Sequence, residues 1–270
     1  MKTFYVITNQ TKDPSLEMTK KMKEYIESRG GNCILASEIP MIPEEVDGVL
    51  VLGGDGTIIR AARELASYDA PILGINMGRV GYLTEAEAGN VKESLDSIME
   101  GKTWVEERMM LKGSINGEKE NVALNDIILS RSGALRLLEF HVYVNGELLN
   151  TYHADGVIIA TPTGSTAYNL SAGGPVVDPV ASMIVITPIC SHALNTSSIV
   201  LSADDEVTIA VGEGRDGNLE TACLCYDGEC TEDVHTGDKI VIRKAEETTK
   251  LFKLNKISFL EILRKKMKGN

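Results

Sequence analysis

A glycine-rich turn with a single acid directly follows a short apolar run near the start of the chain. Residues 46–57 read VDGVLVLGGDGT, so the aliphatic run Val49–Leu52 ends in three glycines that surround Asp55. Glycines let a ligand approach the backbone, and the first N–H groups of a helix capped by Thr57 would face an anion. A carboxylate repels phosphate, so we expect Asp55 to accept a proton from an attacking hydroxyl or to hold a cation. The pattern predicts a phosphate-transfer turn, although a simple strand-to-helix turn explains it equally well, and it is neither a GxGxxG fingerprint nor a Walker loop.

A second stretch, residues 155–175, is dense in hydroxyl groups and small residues. It reads DGVIIATPTGSTAYNLSAGGP and includes an apolar run. Buried hydroxyls must find hydrogen-bond partners, and glycines let the backbone approach a flat or polar ligand. We therefore expect a bound ligand to be the partner, the alternative being a turn with solvated hydroxyls. The hydroxyl-bearing side chains are Thr161, Thr163, Ser165, Thr166, Tyr168 and Ser171.

Four apolar runs, separated by helices or long connections, predict a mostly parallel sheet that would position the glycine turn. The predicted strands are 4–8, 33–36, 47–52 and 71–76. One predicted helix starts at Asp13-Pro14, and two others cover 57–67 and about 90–99. Ligands of such sheets bind beyond the carboxyl ends of the strands, where the turn lies. We predict an α/β domain over residues 1–100 that carries the turn.

The pattern changes from Trp104 onward, where strands and turns follow one another without helical periodicity. Asn116-Gly117 and Asn145-Gly146 lie between alternating apolar runs, which is a strong hairpin signal. We predict an all-β, β-sandwich-like nucleotide-binding domain over residues 101–250, and a C-terminal segment, 251–270, that packs back on the first domain. The predicted strands are 109–115, 123–130, 138–144, 147–152, 157–160, 183–188, 206–211, 223–226 and 239–243.

Composition limits the partners of the chain. With 270 residues and a net charge of -12, the protein lacks the basic stripe that nucleic-acid binding requires, although local cations and backbone amides can still hold a small phosphate compound. No apolar run reaches the length of about 20 residues that a membrane helix needs. The N-terminal MKTFYVIT is a strand pattern rather than a signal peptide. We expect a cytoplasmic protein that binds neither nucleic acid nor membrane.

The cysteines predict neither a disulfide nor a metal site. Their number, five, is odd, and their spacing is not that of a secreted protein. Cys223, Cys225 and Cys230 are close in sequence, but CxC spacing suits a structural zinc site poorly and no fourth ligand is evident. Alternation along a strand explains the Cys223 and Cys225 pair better.

Taken together, the motifs resemble those of the NAD kinase family. The resemblance rests on GGDGT at 53–57, LND at 124–126, TPTGSTAYNLSAGGP at 161–175 and GINMGRVGYLT at 74–84, where Tyr82 replaces phenylalanine, and it runs over essentially the full length. GGDGT is shared with diacylglycerol and sphingosine kinases and, more loosely, with 6-phosphofructokinases, whereas the longer motif is much more specific. The resemblance implies transfer of a phosphoryl group from ATP or polyphosphate to the 2'-hydroxyl of the adenosine ribose of NAD, giving NADP. It also implies a divalent metal, Mg²⁺, that accompanies the donor, and a homodimer or homotetramer.

The resemblance further implies roles for individual residues. Asp55 would be the proton acceptor, and the phosphate turn would comprise Gly53, Gly54, Thr57 and Arg60, although Arg60 could equally be a solvated helix residue. The positions expected to bind NAD are Gly56, Asn125, Asp126, Arg136, His153, Asp155, Thr163, Thr166, Ala167, Tyr168, Asn169, Leu170, Ser171 and Glu229. Asp126 stands where the family has glutamate, Glu229 where it has glutamine, and Ser197-Ser198 where it has Arg-Pro, which removes one basic group. No metal ligands from the protein are predicted.

Two other functions stay open at this point. A lipid or sugar kinase would share GGDGT but not the longer motif. A non-catalytic module would bind NAD(P) without turnover, and the retained Asp55 argues against it.

Overall fold

The computed structural model describes residues 1–78, 81–133, 137–193, 196–214, 217–255 and 257–267. Contacts between residues divide the chain into two units. The first comprises Met1–Glu107 and Thr249–Asn270, and the second comprises Arg108–Thr248.

A parallel sheet forms the centre of the first unit. Its strands are β1 (Thr3–Thr8), β2 (Asn32–Leu35), β3 (Gly48–Gly53), β4 (Ile72–Asn76) and β5 (Thr84–Glu87). They pair in parallel in the order β2-β1-β3-β4-β5. β3 is buried along its whole length, as expected for a continuous aliphatic run covered on both faces. The mostly parallel sheet predicted from the sequence is confirmed.

Helices with one apolar face each cover this sheet. They are α1 (Glu17–Ser28), α2 (Asp55–Glu64) and α3 (Val91–Met99), with a 3₁₀ turn at Ala88–Asn90 before α3. Met22 and Ile26 of α1 and Leu95 and Ile98 of α3 are buried in one core with the strand residues Phe4 and Leu50. Full burial of such a side chain stabilises the fold by roughly 1.5–3 kcal/mol.

The first helix starts later than predicted. α1 begins at Glu17 rather than at Asp13-Pro14, because residues 13–16 form a turn in which the Leu16 N–H donates to the Asp13 carbonyl. The Asp13 carboxylate accepts backbone N–H groups from Glu17 at 2.9 Å and Thr19 at 3.0 Å, so it still caps the first helical turn. Burial opposes its charge, but these bonds and the Thr19 hydroxyl outweigh burial and lower the pKa of Asp13.

The second unit is made almost entirely of antiparallel strands. They are β6 (Trp104–Ile115), β7 (Glu118–Ala123), β8 (Asp126–Arg131), β9 (Leu138–Val144), β10 (Glu147–Ala154), β11 (Gly156–Ala160), β12 (Met183–Ile189), β13 (Ile199–Ser202), β14 (Val207–Val211), β15 (Thr221–Tyr226), β16 (Glu229–His235) and β17 (Lys239–Lys253). A 3₁₀ turn at Thr163–Thr166 and the short helix α4 (Tyr168–Ser171) follow β11. Both Asn-Gly turns occur as predicted, with positive φ at Asn116, Gly117, Asn145 and Gly146.

Two antiparallel layers enclose the core of this unit. One sheet has the order β13-β12-β11-β8-β15-β16, and the other layer contains the run β10-β9-β14-β17. Alternate side chains from both layers, including Ile127, Ile159, Phe140 and Ile209, form a single buried cluster. Such face-to-face packing defines a sandwich, so the predicted β-sandwich-like fold is confirmed.

The C-terminal part of β17 returns to the first unit. Leu251 pairs in parallel with Ile72 of β4, and Phe252 lies over Gly48, where an added methyl group would be 2.6 Å from the ring. Helix α5 (Phe259–Met267) follows, and its Lys266 ammonium lies 5.2 Å from the centre of the Tyr82 ring.

Several elements of the second unit differ from the predictions. The strand predicted at 123–130 is interrupted at Leu124-Asn125, and β7, β13, β16 and α4 were not predicted. β13 and β16 are the edge strands of their sheet, and many of their residues are exposed to solvent. Their sequences therefore lack the apolar pattern by which a strand is predicted.

The prediction that the chain has no disulfide is wrong. Cys225 and Cys230 are bonded, with Cα atoms 3.9 Å apart. The register of β15 and β16 makes them direct partners across a hairpin, a consequence of β16 that the cysteine spacing alone does not reveal.

Candidate active site

The glycine turn links the end of β3 to the start of α2. Gly54 is the N-cap in an extended conformation and Asp55 is the first helical residue, so the prediction that Thr57 caps the helix is wrong. Thr57 is buried instead, and its hydroxyl accepts a hydrogen bond of 3.1 Å from the Asn9 side chain. A methyl group on Gly53 would lie 2.4 Å from the Thr57 hydroxyl, so this position requires glycine.

Two backbone N–H groups orient the Asp55 carboxylate. Tyr82 donates at 2.7 Å and Leu83 at 3.1 Å, one to each carboxylate oxygen. A methyl group on Gly81 would lie 1.9 Å from the carboxylate, so the absence of a side chain there lets the segment approach. Asp55 is half-buried, and the 74–84 motif therefore contributes to the turn by fixing its acid.

Lys12, which was not predicted as a site residue, lies beside the turn. A methyl group on Gly54 would be 3.1 Å from the Lys12 ammonium nitrogen, and one on Gly78 would be 3.9 Å from it. The Asn76 side chain bonds the N–H of Gly78 at 3.0 Å and its carbonyl at 2.7 Å, which shapes this neighbouring loop. Lys12 follows β1, whose carboxyl end lies at the same sheet edge as those of β3 and β4, and this topology is the signal that could have found it.

Arg60 and Gly56 lie on the exposed side of α2. The Arg60 Nε atom is 3.8 Å from a Glu64 carboxylate oxygen, and both side chains are 62% exposed. These are the contacts of a solvated helix residue, the alternative already considered for Arg60.

In the second unit, the Asp227 carboxylate holds the Asn125-Asp126 segment. It accepts backbone N–H groups from Leu124 at 2.9 Å, Asn125 at 2.6 Å and Asp126 at 3.2 Å. Asp227 and Gly228 form the β15–β16 turn, both with positive φ, and Glu229 follows on the exposed side. Glu229 was predicted from the sequence as a site residue and Asp227 was not, although Asp227 is the residue that organises this segment.

Asp126 is a buried acid. Its residue is 3% exposed, and burial, reinforced by the negative charge of Asp227, raises the pKa of Asp126 to about 7. Its protonated and ionised forms are therefore close in free energy near neutral pH.

The buried hydroxyls of the 155–175 stretch pair with the protein itself. The Thr161 hydroxyl donates to the Leu124 carbonyl at 2.6 Å and accepts the Gly164 N–H at 3.0 Å. The Asn169 amide donates to the Ser165 and Pro175 carbonyls, and its oxygen accepts the Thr187 hydroxyl at 2.7 Å. The expectation that a ligand must supply these partners is therefore wrong for the buried members of the stretch.

The remaining predicted residues of this stretch, apart from Thr163, form its outer surface. Thr163 is buried and accepts a hydrogen bond of 3.3 Å from Arg108. Thr166 and Ala167 are half-buried, whereas Tyr168, Leu170 and Ser171 are exposed. The internal network thus fixes a loop whose exposed side chains can meet a ligand.

His153 and Asp155 each have a charged neighbour. The His153 Nε2 atom is 3.5 Å from a Glu139 carboxylate oxygen, and Asp155 accepts a hydrogen bond of 2.7 Å from Arg131. Neither Glu139 nor Arg131 was identified from the sequence. The predicted site residue Arg136 lies outside the described residues.

A cavity of about 510 Å³ borders the same loop. Gly173, Pro175 and Thr187 line one part of it, and Ser197 and Ser198 line another. The two serines occupy the positions at which the sequence departs from Arg-Pro, so the departure changes the lining of a cavity.

A phosphate-type turn on a parallel sheet and a polar loop on a β-sandwich are features of a nucleotide-using phosphotransferase. Family comparisons agree. Residues 6–103 match the ATP-NAD kinase N-terminal domain, and residues 124–254 match the ATP-NAD kinase C-terminal domain. The chain belongs to the ATP-NAD kinase family, as the sequence motifs predicted.

Curated relatives extend this similarity to the full length. An NAD kinase of Agathobacter rectalis is 48% identical over 100% of this chain and 99% of its own, and an NAD kinase of Lachnospira eligens is 42% identical over 99% and 100%.

Solved structures share the fold. A yeast NADH kinase complexed with NADH superimposes with a TM-score of 0.88 at 23% identity, covering 100% of this chain and 88% of its own. An NAD kinase from Archaeoglobus fulgidus in complex with ATP gives 0.78 at 28% identity, covering 94% of each chain. Within the described residues, every helix is too short or too polar to cross a bilayer.

Proposed function

We propose that the chain transfers a phosphoryl group from ATP to the 2'-hydroxyl of the adenosine ribose of NAD, giving NADP. Membership of the ATP-NAD kinase family gives its enzyme class, a kinase that uses NAD as acceptor. The observation that carries the residue-level proposal is Asp55, a carboxylate fixed by two N–H groups at the start of a helix and next to three glycines.

Asp55 accepts the proton of the attacking hydroxyl. Phosphoryl transfer passes through a loose transition state, so alignment and charge neutralisation matter more than a strong base. A carboxylate held in one orientation supplies alignment, because neither oxygen can turn away without losing the N–H of Tyr82 or Leu83.

The donor phosphates bind at Gly53 and Gly54, with Lys12 as the cation and Thr57 as a support beneath the turn. The N–H groups at the start of α2 and the Lys12 ammonium both favour negative charge here. A divalent metal such as Mg²⁺ would arrive with the donor, and the Asp55 carboxylate at the turn is the protein group that would hold it. When bound, it would neutralise charge on the phosphates. Arg60 and Gly56 flank this site on the exposed side of α2.

The adenosine half of NAD binds at Asn125 and Asp126 and at the outer surface of the 155–175 loop. Support comes from the rigidity of both segments, which Asp227 and the Thr161 and Asn169 networks hold in place. Exposed and half-buried groups make the contacts together with the buried Asp126 and Thr163, and Asn169 acts by positioning them. The proposed contacts are Thr163, Thr166, Ala167, Tyr168, Leu170, Ser171, His153, Asp155, Glu229 and Arg136.

The assembly is a cytoplasmic homodimer or homotetramer, as the resemblance to the family implies. Light scattering coupled to size exclusion tests the assembly, and a monomer at micromolar concentration would contradict it.

A panel of acceptors tests the proposed reaction. Purified protein with ATP and Mg²⁺ should phosphorylate NAD, and should leave diacylglycerol and hexose phosphates unchanged. Product on a lipid or sugar would instead support a kinase that shares only GGDGT. Binding of NAD without any product would support the non-catalytic module.

A further inference from the structure

Three cysteine side chains meet on the hairpin that carries Asp227. Cys225 and Cys230 are bonded partners across β15 and β16, and the Sγ atom of Cys223 lies 3.9 Å from that of Cys225. All three sulfur atoms lie within 4.8 Å of one another. The proposed reaction uses none of these three residues, so the cluster needs a separate explanation.

The three sulfurs differ in their access to solvent. Cys230 is exposed, Cys223 is half-buried and Cys225 is 5% exposed. A disulfide with one exposed sulfur can be attacked there by a small thiol, and accessible disulfides are the ones that exchange readily. The bond is therefore placed where its state can change in the folded protein.

The disulfide encloses the turn that organises the NAD segment. Residues 225–230 form a ring that contains Asp227 and Gly228. The Asp227 carboxylate accepts the N–H groups of Leu124, Asn125 and Asp126. Closing the ring removes conformations from the turn, and opening it restores them, so the state of the bond acts on the carboxylate that holds Asn125 in place.

We propose that Cys225 and Cys230 are a reversible redox pair that sets the affinity of the protein for NAD through Asp227. In reduction, a low-molecular-weight thiolate attacks the Cys230 sulfur, the Cys225–Cys230 bond breaks, and Cys225 takes up a proton. A second thiolate then displaces Cys230, which is also protonated, and the two small thiols leave as one disulfide. Two electrons and two protons pass to the protein, and a small disulfide reverses the reaction.

Cys223 is a neighbour of the pair rather than a member. Burial, together with the negative charge of Asp233, raises the pKa of the Cys223 thiol. A protonated thiol is a poor nucleophile, so Cys223 does not exchange with the adjacent disulfide at neutral pH. Cys223→Ser is consequently a matched control for Cys230→Ser.

The inference rests on the proposed contact of Asn125 and Asp126 with NAD, so the test measures thiol state, NAD binding and turnover separately. Wild type, Cys230→Ser and Cys223→Ser are each equilibrated with reduced or oxidised glutathione. Alkylation and mass spectrometry then identify the bonded cysteines, calorimetry gives the Kd for NAD, and kinetics give the KM for NAD and for ATP.

We expect oxidised wild type to bind NAD at least about fivefold more tightly than reduced wild type, with the KM for ATP unchanged, as for a coupling between two local states. Cys223→Ser should keep this difference. Cys230→Ser should match reduced wild type under both conditions, and because Cys230 is exposed the variant should fold normally.

Four results obtained with a protein that binds NAD would overturn the proposal. They are equal NAD affinity in the two verified thiol states, no Cys225–Cys230 disulfide under oxidising conditions, a bound metal that protects all three thiols, and loss of the difference in Cys223→Ser. Absence of NAD binding in both states would also overturn it. NAD binding with a normal redox difference but no NADP would leave the redox pair intact and refute only the proposed reaction.

Discussion

Replacing Asp126 by asparagine removes a buried charge while keeping the size of the side chain. Asp126 is 3% exposed, and burial with the charge of Asp227 raises its pKa from 3.8 to about 7. Between these two pH values the folded protein holds a proton that the unfolded chain has released. The free energy of unfolding of the wild type therefore falls as the pH rises through this window, and this contribution is constant above it.

The size of the effect follows from the two pKa values. At 1.36 kcal/mol per pH unit, the rise from 3.8 to about 7 corresponds to about 4 kcal/mol. Asparagine does not titrate, so this loss is absent from Asp126→Asn. Below pH 4 the Asp126 carboxyl is protonated, so the stability difference between the variant and the wild type there reflects only the exchange of one neutral group for another. Between pH 4 and pH 8 this difference should shift in favour of the variant by up to about 4 kcal/mol.

Urea unfolding of the ligand-free protein at pH 4, 5, 6, 7 and 8 measures this difference directly. The control is Asp233→Asn, which changes an exposed acid on β16 of the same sheet and should follow the wild type at every pH. Parallel pH profiles for wild type and Asp126→Asn would refute the reasoning, because they would mean that Asp126 does not titrate in this window. A variant that is less stable than wild type only at pH 8 would mean that the ionised carboxylate makes a stabilising contact.

Three further substitutions and one control test other contacts of the protein. Lys12→Gln should raise the KM for ATP about tenfold, because it removes a charge-assisted hydrogen bond of roughly 1.5–3 kcal/mol, and should leave the KM for NAD unchanged. The control Arg60→Gln should change either KM less than about twofold. Equal effects in steady-state kinetics would contradict the assignment of Lys12. Asp126→Ala should raise the KM for NAD or lower turnover by about tenfold or more and spare the KM for ATP, and the reverse pattern would contradict the division of the site. Asp13→Ala should lower the free energy of unfolding by about 1–2 kcal/mol at pH 7, as for loss of a helix cap. Because folding lowers the pKa of Asp13, this difference should shrink as the pH falls and the Asp13 carboxylate of the folded protein takes up a proton. An unchanged urea midpoint would exclude the capping role.

The strands of the first unit could be predicted because their signal is local. Val49–Leu52 is a continuous aliphatic run before glycines, and such a run has few alternatives to a buried parallel strand. The predicted start of α1 was wrong because Asp13 caps the helix from four residues before its first residue. This geometry depends on the turn at 13–16. Edge strands such as β16 were missed because few of their side chains are buried, and five of the seven residues of β16 are exposed.

The candidate site divides in the same way. Asp55 could be predicted because an acid within three glycines is unusual in sequence. Lys12, Asp227 and Arg131 could not, because each acts on residues far away in the chain and only the folded sheets bring them together. The Cys225–Cys230 disulfide depends on the register of a hairpin in the same way.

The role of Asp55 as proton acceptor is the central claim about the reaction, and one measurement tests it most directly. Single-turnover formation of NADP from saturating NAD and ATP is compared for wild type, Asp55→Asn and the control Asp69→Asn, whose side chain is 86% exposed. The rate for Asp55→Asn should fall by about 10² to 10⁴, the usual contribution of a general base, while the Kd for NAD stays near that of the wild type. The control should keep the wild-type rate. An Asp55→Asn protein that keeps most of its wild-type rate would remove Asp55 from the mechanism.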